Sequence, residues 1–245
     1  MKTYGLIGRS LGHSFSEKYF SEKFQKENVQ DCQYRNFEIK NIQEEIPELK
    51  RNFELEGLNI TIPYKTEIIS FLDEMSDECR QINACNCIKI KEGKWLGFNT
   101  DVTGFEKSFI PHLKPFHKKA LVLGTGGASN AVAFILKKLG IDFLKVSRSE
   151  NQSASVISYE DISEEKMKEF EIVINTTPLG TFPNVNECPP LPYESVSAQH
   201  YFFDLVYNPP KTLFLSLAEK QGAIIENGSQ MLAIQAEESW KIWNS

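Results

Sequence analysis

The chain has 245 residues, of which 41% are apolar and 24% charged, with a formal net charge of −6. That length suits two modest domains of the usual ~100 to 200 residues better than one α/β core, and the apolar content excludes wholesale disorder. The acidic balance excludes a general nucleic-acid binder, whose affinity rests on clustered Lys and Arg, and no run reaches the about 18 apolar residues of a membrane span.

In chain order, residues 3–8 predict a short buried strand, which glycines break too early for a signal-peptide core. Ser14 to Lys26 predicts a helix opened by a hydroxyl cap. Gln33 to Ile39 alternates like a strand, and Ile42 to Asn52 predicts an acidic helix with Pro47 in its interior. Leu58 to Ile62 is a third strand, closed by Pro63. Ala84 to Ile90 and Trp95 to Phe98 flank KEGK, a hairpin signal with Gly93 at the turn. Cys85 and Cys87 share a face of such a strand and read as core packing, because no second Cys/His pair completes a metal site. His13, His112, His117 and His200 likewise lack ligand spacing, so no metal is expected. Five cysteines without paired spacing point to a reducing, cytoplasmic setting. A helix from Asp101 to about Ile110 leads into a Pro/His/Lys connector, 111–119, a candidate seam between domains.

From Lys119 the pattern becomes strand–helix alternation: Ala120 to Leu123, Ala128 to Leu139, Phe143 to Ser147, Ile172 to Asn175, Tyr201 to Leu205 and helix Leu213 to Gln221. Such alternation predicts a parallel, doubly wound sheet. The first helix puts Ala128, Ala131, Val132, Ile135, Leu136 and Leu139 on one stripe. A last helix, from Ser229, carries Leu232, Ala236, Trp240 and Trp243 at helical spacing.

Between the first of these strands and its helix stands GTGGAS, with Gly124, Gly126 and Gly127. A strand, a glycine turn and a helix bring backbone N–H groups and a helix N-terminus against a dinucleotide pyrophosphate. Ser129 stands where a third glycine would complete the usual pattern. An NAD site places Asp or Glu about 20 residues beyond the glycines, for the ribose 2′-hydroxyl. Here the second strand ends in Ser147, Arg148 and Ser149 instead, and a guanidinium between hydroxyls suits a 2′-phosphate. The expected cofactor is NADP; the alternative for Arg148 is a plain surface arginine.

Lys65 follows a strand and a proline, with Asn59 and Thr61 expected beside it along one edge, and Asp101 either caps its helix or faces chemistry. Nine segments in order carry a resemblance: GRSLGHSFS (8–16), GLNITIPYK (57–65), NACN (83–86), GFNTD (97–101), LGTGGAS (123–129), SRS (147–149), NTTPLG (175–180), DLVYNP (204–209) and MLAIQAEESWKIW (231–243). Together they resemble the shikimate dehydrogenase family through nearly the whole chain. The resemblance implies reversible reduction of 3-dehydroshikimate to shikimate by NADPH, in aromatic amino acid biosynthesis. It also implies a substrate domain over 1–100, an NADP-binding Rossmann-like domain over 101–228, and a final helix, 229–245, returning to the first.

By that resemblance Lys65 is the general acid/base and Asp101 its partner: negative charge grows on the ketone oxygen during reduction, and a positioned ammonium stabilises it and delivers a proton. Ser14, Ser16 and Tyr207 look like the donors to the substrate carboxylate. Thr61, Asn86, Asp101 and Gln235 look like the groups that recognise ring hydroxyls. Gly124, Gly126, Gly127 and Ala128 resemble the pyrophosphate cradle, and Ser147, Arg148 and Ser149 the 2′-phosphate site. Thr176, Leu205, Gly228 and Met231 resemble the nicotinamide end, and Asp77 approaches the cofactor or is a plain exposed helical residue. The expected partner is the small-molecule substrate alone, with neither nucleic acid nor membrane, in a monomer or homodimer.

The chain departs from the family pattern in several places. Glu17 replaces a proline after HSFS, Cys87 a threonine, and SRS stands for NRT with Gln152 where a second basic residue is common; GSQML replaces GLGML. Two alternatives stay open from sequence: a quinate/shikimate dehydrogenase and a non-catalytic NADP-binding module.

Overall fold

The computed structural model of the chain describes residues 1–12, 14–51, 54–148 and 155–245. They divide into two compact units, Met1–Thr100 with Ala236–Ser245 and Asp101–Gln235.

The first unit carries β1 (Lys2–Gly8), α1 (Phe15–Lys26), β2 (Cys32–Glu38), α2 (Ile42–Leu49), β3 (Leu55–Ile60), β4 (Glu74–Met75), α3 (Asp77–Ile82), β5 (Cys87–Lys91) and β6 (Lys94–Phe98). Its sheet runs β2-β1-β3-β5-β6-β4. β1 pairs parallel with β2 and β3, while β5 pairs antiparallel with β3 and β6. Ser14 caps α1 by accepting the Glu17 N–H at 3.4 Å, as its hydroxyl predicts. α2 stops at Leu49, soon after Pro47, whose missing N–H leaves a helix this short little to continue on. Asn52, its predicted end, lies outside the described residues. At the hairpin both Glu92 (φ 53°) and Gly93 (φ 76°) are left-handed, the twist that a two-residue turn needs.

The second unit carries α4 (Asp101–Phe109), β7 (Lys119–Leu123), α5 (Gly127–Lys138), β8 (Asp142–Ser147), β9 (Val156–Ser158), α6 (Glu164–Glu169), β10 (Ile172–Asn175), β11 (Tyr201–Asp204), α7 (Leu213–Lys220) and β12 (Ile224–Glu226). α8 (Ser229–Trp243) begins in this unit and ends in the first. The sheet order is β12-β11-β10-β7-β8-β9, with every neighbouring pair parallel. The chain winds outward from β7 in one direction and from β10 in the other, so the strand order reverses between them, where such sheets bind ligands. The connector at 111–119 belongs inside this unit rather than at its border. His117 Nδ1 accepts the Lys114 N–H at 3.0 Å and Nε2 donates to the Gln199 carbonyl at 3.0 Å, and burial lowers the ring's pKa.

Leu121, Val173, Phe202, Phe214 and Leu215 lie at the centre of the second unit's core. The first unit has a core on each side of its sheet. Ile7, Leu58, Ile68, Cys85 and Trp95 form one, and Tyr4, Phe20, Tyr34, Cys87 and Trp243 the other. Cys85 and Cys87 therefore do not share a face, because β5 starts only at Cys87 and Cys85 lies in the turn before it. Both are buried free thiols, packed as expected.

The end of α8 closes the second of these cores. Trp243 stacks on Tyr4 with ring centroids 4.9 Å apart and donates Nε1–H to the Ile88 carbonyl at 3.0 Å. Its indole lies where a side chain on Gly57 would stand. Gly57→Ala is therefore expected to destabilise the protein by about 1 to 3 kcal/mol through overpacking, measured by denaturant unfolding. Unchanged stability would show that the indole yields without cost.

Candidate active site

In the first unit the C-terminal ends of β1 and β3 meet the turn before β5. Thr61 N–H donates to the Ile7 carbonyl at 2.9 Å, and Ile60 N–H to the Asn86 carbonyl at 2.9 Å. Cys85 N–H donates to the Lys65 carbonyl at 2.7 Å. Main-chain bonds alone thus gather Thr61, Lys65 and Asn86 at one end of the sheet. Lys65 is half-buried and Asn86 buried. Asn86 Oδ1 accepts the Thr100 N–H at 2.6 Å, and its Nδ2 donates to Thr100 Oγ1 at 3.1 Å. Ser14 stands at the cap of α1 and Ser16, buried, hydrogen-bonds Tyr34, whose hydroxyl burial raises far above its ordinary pKa. His13 lies outside the described residues.

Asn59 does not join that edge. It points into the core that α8 covers, where Tyr34 donates to its Oδ1 at 3.0 Å and its Nδ2 donates to Ser239 Oγ at 2.9 Å. Ser239 in turn lies 3.2 Å from Thr100 Oγ1. The alternation of β3 sends Asn59 inward, whereas Thr61 comes after the strand has ended. Thr100 and Ser239 sit inside recognisable segments, but no spacing rule pairs residues 139 apart. Asp77 is exposed in the first turn of α3.

In the second unit the cofactor-type residues line up along the C-terminal edge of the parallel sheet. Gly124 has φ 113°, and a Cβ there would stand 2.6 Å from Thr176 Oγ1, so the turn after β7 requires glycine on both counts. Thr176 Oγ1 donates to the Leu123 carbonyl at 2.6 Å. Leu205 N–H donates to the Asn175 carbonyl at 2.9 Å and Gly228 N–H to the Val206 carbonyl at 3.2 Å. Gly126 is the N-cap of α5, and among the described residues no side chain caps that helix. Nothing would meet a Cβ on Gly126, so there is room beside the N-terminus of α5, where Gly127 and Ala128 begin the helix. Uncapped amides at the positive end of a helix, with room beside them, fit a pyrophosphate.

Ser147 ends β8, and Arg148 follows it exposed. Ser149 and Gln152 lie outside the described residues. On α5 Ser129, in place of the third glycine, is fully buried with no hydrogen-bond partner for its Oγ among the described residues, while Ala128 and Leu139 are only half-buried. The buried stripe is thus led by Ser129, because the helix starts at Gly127 and turns position 129 toward the sheet.

Asp101 opens α4 and is 5% exposed. One turn on, a Cβ on Gly104 would lie 2.7 Å from the Met231 carbonyl and 3.2 Å from Gln235 Cβ. α4 and the start of α8 therefore pack at close range, which brings the Asp101 face of α4 to Met231 and Gln235, both buried. Tyr207 is half-buried, and burial raises its phenol pKa.

The support beneath this edge was not legible as a site. Asp204 is fully buried, and its Oδ1 accepts Asn175 Nδ2 and the Val206 N–H, each at 3.0 Å, while Oδ2 accepts Thr212 Oγ1 at 2.6 Å. Asn175 Oδ1 accepts the Thr177 N–H at 3.0 Å. One carboxylate thereby holds the turns that carry Thr176, Leu205 and Tyr207. Burial pushes Asp204 up to about 6, with its three hydrogen bonds opposing that rise.

A family model described as the shikimate dehydrogenase substrate binding domain matches residues 6–88. The shikimate dehydrogenase (NADP(+)) of Caldicellulosiruptor saccharolyticus is 36% identical over 259 residues, covering 99% of this chain and 92% of that protein. The chain belongs to the shikimate dehydrogenase family. The Caldicellulosiruptor bescii shikimate dehydrogenase (NADP(+)) is 38% identical, with 99% and 89% of the two chains covered. The solved shikimate 5-dehydrogenase of Thermus thermophilus, in complex with NADP(H) and shikimate, superposes with a TM-score of 0.86 at 28% identity, covering 99% of this chain and 92% of that one. The resemblance carried by the nine segments is borne out, and so is the α/β, Rossmann-like fold. Among the described residues of this shikimate dehydrogenase family member, no helix is long and apolar enough to cross a membrane.

Proposed function

We propose that the protein reversibly reduces 3-dehydroshikimate to shikimate with NADPH, with Lys65 as general acid/base and Asp101 as its partner. The observation that carries this reading is the gathering of Lys65, Thr61 and Asn86 at one sheet end by main-chain bonds. Family membership supplies the substrate class. NADPH, when bound, supplies two electrons and a hydrogen to the ketone carbon. Lys65 then delivers a proton to the oxygen, or receives it in the reverse direction, and its ammonium offsets charge growing there. Asp101 orients that ammonium. Ser14, Ser16 and Tyr207 bind the substrate carboxylate, and Thr61, Asn86, Asp101 and Gln235 pair with ring hydroxyls. Leaving any such buried partner unpaired costs about 1 to 3 kcal/mol, which is the source of selectivity.

The α5 amides with Gly124, Gly126, Gly127 and Ala128 hold the pyrophosphate, and Thr176, Leu205, Gly228 and Met231 line the nicotinamide. Ser147, Arg148 and Ser149 take the 2′-phosphate. Arg148→Ala is accordingly expected to raise KM for NADPH about 10- to 100-fold, the worth of a charge-assisted pair, with little effect on the KM for NADH. Equal effects on both cofactors would show that Arg148 does not read the 2′-phosphate.

The protein acts in the cytoplasm as a monomer or homodimer, in keeping with five cysteines that lack paired spacing. Nicotinamide absorbance, followed with shikimate against quinate and NADP against NAD, tests the whole reading. Turnover of quinate equal to that of shikimate would move it to the quinate/shikimate class. No turnover with any pair would leave a cofactor-binding module.

A further inference from the structure

Asn99 is 8% exposed, immediately after β6. Its Nδ2 donates to the Ala84 carbonyl at 2.8 Å, while its Oδ1 is buried and receives no hydrogen bond among the described residues. Among the described residues a thiol, Cys79 Sγ at 3.4 Å, also donates to that carbonyl, and weakly. Thr100, the next residue, holds the Asn86 carboxamide, and Cys85, between Ala84 and Asn86, donates its N–H to the Lys65 carbonyl at 2.7 Å. Residues 84, 85 and 86 are thus tied in turn to Asn99, Lys65 and Thr100. The Nδ2 bond satisfies the carbonyl of buried Ala84, but the unpaired Oδ1 offsets that gain, so net stability is a weak reason for asparagine here.

We propose that Asn99 is a positioning residue for the reaction: its carboxamide sets the Ala84–Asn86 turn, and through Cys85 that turn sets the main chain carrying Lys65. The proposal rests on the reading of Lys65 given above. Because β5 begins only at Cys87, Ala84 and Cys85 lie outside the regular strand, and the side-chain bond from Asn99 stands in for a ladder bond. Losing it lets the turn drift, and a displacement of about 1 Å at a reacting group costs about 10²-fold in rate.

The test compares Asn99→Ala with Asn99→Asp at a pH high enough to ionise the new carboxyl, which then keeps size and Oδ1 but has no donor for the Ala84 carbonyl. Three readouts are taken on the full-length protein: thermal midpoint, steady-state constants, and the rate at which trinitrobenzenesulfonate labels Lys65, followed by peptide mass spectrometry. Both variants are expected to lose about 10- to 100-fold in kcat, with KM for NADP unchanged. Lys65 labelling is expected to change by about threefold or more while exposed lysines such as Lys94 and Lys211 label as before. Wild-type kcat in Asn99→Asp overturns the proposal, and so does a fall in kcat with Lys65 labelling unmoved. Failure of both variants to fold also overturns it, marking Asn99 as purely structural. If the unaltered protein does not turn over shikimate, the function falls, while the labelling comparison still decides whether Asn99 places Lys65.

Discussion

Lys65→Ala is expected to lower kcat by about 10²- to 10⁴-fold while shikimate still binds within a few-fold of its normal affinity. The asymmetry follows from when the amine is needed. In the ground state the reacting oxygen is neutral, and in the proposed site the carboxylate and ring hydroxyls are assigned to other groups, Ser14, Ser16, Thr61 and Asn86 among them. Only as the carbon changes oxidation state does charge collect on that oxygen, so an interaction made there weakens kcat far more than binding. Lys65 is also half-buried, and its carbonyl accepts the Cys85 N–H, a main-chain tie that alanine keeps. Turnover within about tenfold of normal would assign the proton transfer to another group. Calorimetric titration with shikimate measures the binding half of the prediction.

Asp204 is expected to govern how stability changes in mild acid. Its folded pKa of about 6 lies above the ordinary 3.8, so the folded state holds its proton more tightly than the unfolded chain. Well below pH 3.8 both states are protonated and the contribution is fully present; as pH rises through about 6 it is lost, by about 3 kcal/mol in total. Asp204→Asn keeps the shape but has no proton to lose. Denaturant unfolding at pH 4 and pH 7 is therefore expected to show the wild type losing about 2 kcal/mol relative to Asp204→Asn over that interval. Parallel pH curves for the two proteins would show that Asp204 ionises as readily folded as unfolded. Asp204→Leu strands the Asn175, Val206 and Thr212 donors together and is expected to cost about 3 kcal/mol or more at any pH in this range.

Much of this architecture could be read from residue order. Long periodic segments such as Phe15–Lys26 and Gly127–Lys138, and the strand–turn–helix around Gly124, announced themselves through apolar spacing and glycine. β4, β9, β12, α3 and α6 did not, since elements of two to six residues are too short to show a period. The parallel alternation pointed to a doubly wound sheet, but the order of its strands is decided by packing among distant segments. The polar groups beneath the site were the least legible. Asn59, Thr100 and Ser239, or Asn175, Asp204 and Thr212, make sense only once the fold has brought them together, and each alone looks like a cap or a turn residue. Asn99 shows the same limit: its partner is fifteen positions back in the chain, across a turn that no local rule connects to it.

The stacking of Trp243 on Tyr4 also dictates an order of assembly during synthesis. The opening hundred residues emerge first from the ribosome, yet one of their two cores lacks its lid until the final helix has been translated. The middle of the chain, whose parallel sheet uses only its own strands, completes its strand complement earlier. Residues 1–100 are therefore completed after the middle of the chain, and a nascent chain stalled shortly before Ala236 would expose Tyr4, Phe20 and Tyr34 to chaperones.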